Sequence, residues 1–175
     1  NDPRRVYRDP FAKPELLCAL TPFDTLCGFR PVDDTQALLE SIEAYDLRDR
    51  LYDTGLQATV AALYRGTAFI KHDLAACAAH AGSEAQLVHR LAAMYPGDPS
   101  VLVILLLNRV QLQPGDAVFL GPGNLHAYLH GFGVEIMGAS DNVVRGGLTV
   151  KHIDIEELLA VLRYEPLADP VVRPV

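Results

Sequence analysis

The residues best placed to do chemistry gather in two stretches of the chain. One is PGDAVFLGPGNLHAYLHG, Pro114 to Gly131, where a short apolar strand, a Gly-Pro-Gly turn and a second short strand follow one another. Alternation along that second strand puts Leu125 and Ala127 on one face, and His126 and Tyr128 on the other. His130 continues the His126 face but lies beside the next turn. An imidazole so placed either ligates a metal or makes structural hydrogen bonds, and strand position by itself favours the structural role. The second stretch, Gly133 to Asp154, holds Glu135 between Val134 and Ile136. A carboxylate there needs a partner if it is buried, so it is a general-base candidate or the partner of a lysine or arginine. Ser140-Asp141-Asn142 is a turn-forming run that leads to Arg145 and would aim it. Read on their own, Lys13, Arg145 and Lys151 are solvated surface charges.

The elements that must position these groups fall into three parts. From Pro10 to Pro31, apolar stretches at Leu16–Leu20 and Leu26–Phe29 are broken by prolines and Gly28, which suits short strands. From Asp33 to Pro96 the spacing predicts four short amphipathic helices. Their stripes are Leu38, Leu39, Ile42 and Tyr45; Leu56, Val60, Leu63 and Tyr64; Ile70, Leu74, Cys77 and Ala78; and Leu87, Val88, Leu91 and Met94. Asp33, Asp34, Thr35 and Ser83 are their candidate caps. From Ser100 onward, branched apolar runs (Val101–Leu107, Val110–Leu112, Ala117–Leu120, Leu125–Leu129, Val134–Met137) alternate with Gly/Pro turns, as short strands do. A last helix is expected over Asp154 to Arg163. The domain boundaries that follow are 1–32 and 97–153 for the strands, 33–96 for a helical insert, and 154–175 for the helix and a connector.

Composition narrows the function. The chain has 175 residues, half of them hydrophobic, and a net charge of -7. That balance argues against a nucleic-acid surface, which needs clustered Lys and Arg, but allows a basic pocket for a small anion. The longest apolar run, Val101 to Leu107, is far too short to span a bilayer, and no signal-peptide pattern opens the chain. Cys18, Cys27 and Cys77 are an odd count without CxxC spacing, and read as reduced, buried thiols of a cytoplasmic protein. Asn1 to Arg8 reads as a loop, and Pro166 to Val175 as a proline-rich connector, so a fragment is expected.

The strand, turn and opening histidine of Pro114–Gly131 resemble the second motif of a cupin barrel, whose histidine points at a metal in the barrel mouth. Tyr7-Arg-Asp-Pro-Phe-Ala-Lys-Pro-Glu15, with ALTPFDTLCGFRP (Ala19 to Pro31), resembles the Y-x-D-x-x-x-K-P-E … A-L-T-x-F-x-x-L-C-G-F-R signature of type I phosphomannose isomerases. GVEIMGASDNVVRGGLTVKHID, Gly133 to Asp154, resembles their V-E-x-M-x-x-S-D-N-x-x-R-x-G-L-T-x-K-x-x-D segment. The likeness is specific over the first 31 residues and from Tyr95 to Tyr164, and only architectural between.

The resemblance implies a mixed, mainly β fold: part of a cupin double-stranded β-helix (jelly roll) with a small all-α insert. It implies one zinc ion held by a glutamine, two histidines and a glutamate, of which Glu15 and His126 are the two present. The other two ligands belong to a Q-x-H motif ahead of the K-P-E segment, and no Gln-x-His occurs in this sequence. It further implies interconversion of mannose 6-phosphate and fructose 6-phosphate through an enediol. Arg145, Glu135 and Lys151 would be catalytic, the base being Glu135 or a metal-bound water, with Lys13 and Tyr128 contacting the sugar phosphate. The expected partner is that small sugar phosphate, with no nucleic acid and no membrane; the oligomeric state stays open, a monomer included. Three alternatives are a non-catalytic metal- or sugar-binding cupin, a different metal cupin such as an iron dioxygenase, and an inactive fragment of the isomerase. The Glu135, Arg145 and Lys151 cluster argues against the first. The lack of a His-x-His pair argues against the second.

Overall fold

The structure, a computed structural model, describes residues 9–68 and 70–173. The loop expected over Asn1 to Arg8, with Tyr7 of the K-P-E motif, lies outside the described residues. The chain divides into two units. One takes in the described residues up to Phe29, Asn108–Gly146 and the stretch from Glu156; the other takes in Arg30–Leu107 and Gly147–Ile155.

The first unit is built on short strands: β1 (Glu15–Ala19), β2 (Phe23–Phe29), β3 (Leu107–Leu112), β4 (Ala117–Leu120), β5 (His126–His130), β6 (Gly133–Met137) and β7 (Val171–Val172). They form two sheets, one of order β6-β1-β4-β7 and one of order β3-β2-β5. Leu17 and Ala19 of β1, with Val118 and Leu120 of β4, pack against Phe23 and Cys27 of β2 and Leu112 of β3. The two sheets therefore meet face to face over one apolar core, whose burial is the main term holding them together. Cys27 sits in that core at 0% exposure, and burial pushes its thiol up to about 12. Cys77 behaves alike at about 11, Cys18 is half-buried, and all three thiols are free.

The helical unit contains α1 (Val32–Ser41), α2 (Tyr45–Tyr64), α3 (Lys71–Ala79) and α4 (Ser83–Met94). The apolar stripes read from sequence supply part of its buried side chains, among them Leu39, Val60, Leu63, Cys77, Leu87 and Val88. Tyr45, Ala78 and Met94 of those stripes are exposed, whereas Leu47 and Leu51 are buried without belonging to one. The caps differ from expectation. α1 starts at Val32 after Pro31, and the Thr35 hydroxyl donates back to the Pro31 carbonyl at 3.0 Å. α2 begins at Tyr45, well before Leu56 where the second stripe starts, and passes through Gly55 with φ of 77° and a kink. The run Val101–Leu107, expected as a strand, is instead a 3-10 helix over Pro99–Leu106. Asp98 decides this locally: its carboxylate accepts the Ser100 N–H at 2.9 Å, with proline at the first helical position. The last helix, α5, covers Ile155–Val161.

The mainly β jelly roll expected above is overturned. Helix outweighs strand, for α2 alone has 20 residues and the longest strand has seven. The two sheets are open, and neither closes into a barrel among the described residues. Glycines and prolines cut the strands short, while the alanine-rich segment from Val32 to Met94 runs almost continuously helical. The connector expected over Pro166 to Val175 also gains structure, since Val171 and Val172 pair with Val118 and Ala117. Among the described residues, no helix is long and apolar enough to cross a membrane.

One buried charge in the helical unit has a measurable consequence. Asp73 of α3 is 0% exposed, and its carboxylate accepts the Asp46 N–H at the start of α2 at 3.2 Å. Burial, and then the charge of Asp46, raise its pKa from 3.8 to about 6. The folded state therefore binds more protons than the unfolded chain between those values, and stability falls as pH rises through that window. Asp73→Asn keeps a good capping side chain and removes the titration. Urea unfolding at pH 4 and pH 7 should show the wild type losing more stability than the variant; equal losses would assign the pH dependence elsewhere.

Candidate metal centre

Glu15 opens β1 between β4 and β6, in register with Leu120 and Met137. Its side chain is only 14% exposed, on the same pleat face as the core residues Leu17 and Ala19. His126 opens β5 in the other sheet, opposite the buried Cys27. The packing of the two sheets brings Glu15 Oε2 to 2.9 Å from His126 Nε2. Lys13 Nζ lies 3.7 Å from the other carboxylate oxygen, Oε1.

The turn before β5 orients the imidazole. His126 Nδ1 lies 3.0 Å from the Asn124 carbonyl oxygen, which can only accept, so Nδ1 carries the hydrogen. That leaves Nε2 as the nitrogen directed at Glu15. The turn is itself held against the end of α5, where the Arg163 N–H donates to the Gly123 carbonyl at 3.0 Å. Gly123 has φ of 83°, and a Cβ there would fall 2.6 Å from the Val161 carbonyl oxygen, so only glycine fits.

Beside this pair lies a second contact between β5 and β6. The Tyr128 hydroxyl donates to Glu135 Oε1 at 2.6 Å. Partial burial, and then this hydrogen bond and the Glu135 charge, hold the phenol well above its usual range, so it stays a donor. Its ring meets Phe23 edge to face at 5.6 Å and lies 5.6 Å from the His126 ring. Glu135 pairs in register with Leu17, on the face that Glu15 shares. His130 is exposed, and a register shift separates its pairing with Asp24 from that of Tyr128 with Thr25.

Lys13, Glu15, His126, Tyr128 and Glu135 thus stand near one another. Arg145 is exposed on the segment after β6, and among the described residues no hydrogen bond or ion pair joins it to the others. Lys151 is exposed in the helical unit, its backbone N–H on the Thr149 hydroxyl at 3.2 Å. Sequence reasoning passed over the Asn124 carbonyl, which no side-chain pattern reveals. It also passed over Asp46, His72 and Asp73, whose potential ligand atoms lie within 4.8 Å of one another. Asp73 there already serves the start of α2.

The donor set of the Glu15–His126 pair suits zinc in type and spacing. Carboxylate oxygen and imidazole nitrogen are both zinc ligands, and 2.9 Å is slightly under the roughly 3.3 Å between two ligand atoms of a tetrahedral site. The hydrogen bond from Nδ1 to a carbonyl is the outer-shell contact that a ligating histidine ordinarily makes. The pair supplies two donors where zinc sites use three or four protein ligands.

No family model matches the chain. It is 38% identical over 175 residues to the mannose-6-phosphate isomerase of Salmonella typhimurium, covering 93% of this chain and 44% of that protein. With the human mannose-6-phosphate isomerase it shares 33% over 190 residues, covering 91% of this chain and 44% of that one. The crystal structure of the Salmonella typhimurium enzyme bound to fructose 6-phosphate and zinc superposes with a TM-score of 0.84 at 36% identity, over 100% of this chain and 48% of that one. Over nearly its whole length, this chain is similar to a stretch spanning less than half of a mannose-6-phosphate isomerase.

Proposed function

We propose that this chain carries part of the active site of a zinc-dependent mannose-6-phosphate isomerase, which interconverts mannose 6-phosphate and fructose 6-phosphate. The observation that carries the reading is the 2.9 Å approach of Glu15 Oε2 and His126 Nε2, with the imidazole already oriented by Asn124. The likeness to a solved isomerase with zinc and fructose 6-phosphate supports it. Glu15 and His126 would hold the zinc, which when bound supplies a Lewis acid for the sugar oxygens.

From aldose to ketose the reaction moves a carbon-bound proton from C2 to C1 and a hydroxyl proton from O2 to O1, so that the carbonyl shifts from C1 to C2, through an enediol. Glu135 is the base: Oε1 is occupied by the Tyr128 hydroxyl, which leaves Oε2 to take the proton and return it to the neighbouring carbon. Tyr128 orients that carboxylate and lines the path to the sugar. Lys13, beside Glu15, contacts the substrate. Arg145 provides positive charge for the enediolate oxygen and the phosphate through a planar fork of donors. Free thiols at Cys18, Cys27 and Cys77 suit a reducing, cytoplasmic setting.

Two experiments test this reading. Zinc competition against a chromophoric chelator should show Glu15→Gln and His126→Gln each weakening binding. The loss should exceed the roughly 10–100-fold that an outer-shell contact is worth. Unaltered zinc affinity in both would remove the pair from the metal site. In the intact enzyme, Arg145→Ala should lower turnover by about 100-fold or more while zinc content stays constant. Undiminished turnover would end its catalytic role, and an intact protein that binds zinc yet converts neither sugar would be a binding protein.

A further inference from the structure

Glu15 is the first residue of β1, and it is also the residue that meets His126. The end of a ladder frays unless something beyond it holds the chain. Here the β1–β6 pairing stops at Glu15 opposite Met137, and one further backbone bond, from the Gly138 N–H to the Pro14 carbonyl at 2.9 Å, extends it. The two segments are in direct contact at that point, for a Cβ on Gly138 would lie 3.0 Å from the Ala12 carbonyl oxygen.

Past that bond, the Asp9 carboxylate gathers donors from both segments. The Phe11 N–H donates to it at 2.9 Å, and the Ser140 hydroxyl lies 3.0 and 3.1 Å from its two oxygens. The Asp141 N–H approaches at 3.4 Å and Asn142 Nδ2 at 3.2 Å. Asn142 Nδ2 also donates to the carbonyls of Asp9 at 2.8 Å and Phe11 at 3.3 Å. Ser140 in turn accepts the Asn142 N–H at 3.1 Å. A turn that served only its own geometry would not send the Asn142 side chain to two carbonyls of another segment. Hydrogen bonds to an ionised carboxylate are among the stronger ones, so the contact is well suited to fixing position.

We propose that Asp9 is a positioning residue: through Ser140 and Asn142 it holds the Lys13–Glu15 arm where Glu15 meets His126. The same clasp fixes the start of the segment that carries Arg145. Its catalytic meaning rests on the isomerase reading above, but the contact can be tested without activity.

The full chain with ¹⁵N-labelled histidine is compared by NMR as wild type, Glu15→Gln, Asp9→Asn and Ser140→Ala. Asp9→Asn should move the His126 ring nitrogens part of the way toward their Glu15→Gln positions. Signals of His72, His80 and His89, and the far-UV circular dichroism, should stay as they are. Ser140→Ala, which removes the hydroxyl donor to Asp9 and the acceptor of the Asn142 N–H but leaves the Asn142 side chain in place, should give a smaller shift in the same direction. If Asp9→Asn loses its fold, Ser140→Ala decides. His126 signals unmoved in every folded variant would overturn the proposal. In the intact enzyme, Asp9→Asn should lower kcat by roughly 100-fold, the scale of a misplacement near 1 Å, with a smaller rise in KM as Lys13 shifts with Glu15. A wild-type enzyme without isomerase activity would overturn the isomerase reading, and the His126 shifts alone would then decide whether the clasp holds Glu15.

Discussion

The contact between Glu15 and His126 exists because two separate sheets face one another across a shared core. Each residue stands at the first position of its strand, one in each sheet, so neither sheet alone could form the pair. Leu17, Val118 and Leu120 from one side, with Phe23, Cys27 and Leu112 from the other, set the separation and orientation of the sheets. Hydrophobic burial is non-directional and supplies most of the energy. The strand registers convert it into direction: Glu15 against Leu120 and Met137, and His126 against Cys27.

Magnitudes indicate that the polar row is not there mainly for stability. An exposed ion pair contributes about 0–1 kcal/mol, and a buried one often returns no more than its desolvation costs. Lys13 and Glu15 are 17% and 14% exposed, which places their pair between these cases. A sandwich needing only strength would put apolar side chains in both positions. Placing Lys13, Glu15, His126, Tyr128 and Glu135 near one another, at the edge of an apolar core, concentrates charge and hydrogen-bonding capacity where water is partly excluded. That is the environment in which electrostatic interactions have most leverage on a reaction.

What could be read in the sequence divides along physical lines. The helices of the second unit were legible where an apolar stripe recurs at helical spacing, as Leu87, Val88 and Leu91 do in α4, whereas the first half of α2 was not. The Val101–Leu106 run was not, since an unbroken apolar segment has no period and fits a buried strand as well as a helix. The deciding signals were Asp98 and Pro99, just outside the run. The balance between helix and strand departs from the expectation because the motif-bearing segments are mostly strands, while helices that carry no motif outweigh them in length. β7 has two residues and no pattern to detect. At the site, alternation around a Gly-Pro-Gly turn nominated His126 and Tyr128 for one face. Nothing periodic marks Glu15, which entered only through its resemblance motif. The Asn124 carbonyl was invisible because every residue has one.

The positions of these groups within their elements explain why so much of the surrounding structure is turn and loop. Glu15 and His126 begin strands, Glu135 lies in a strand at the edge of its sheet, and Arg145 follows the last strand of that edge. Strand ends leave room for a ligand that a closely packed strand centre would exclude, but backbone pairing alone holds them loosely. Each end therefore needs a local brace of a kind that a repeating ladder cannot supply. For His126 the brace is the turn at Gly123 and Asn124, pinned to the end of α5. Glu135, in the middle of an edge strand rather than at an end, has its carboxylate held by the Tyr128 hydroxyl. For Glu15 it is the network beyond Pro14, built from side chains outside any strand. The motifs that flank such residues in sequence are then best understood as the braces themselves. Their side chains act on the site through the backbone they hold, without touching a substrate.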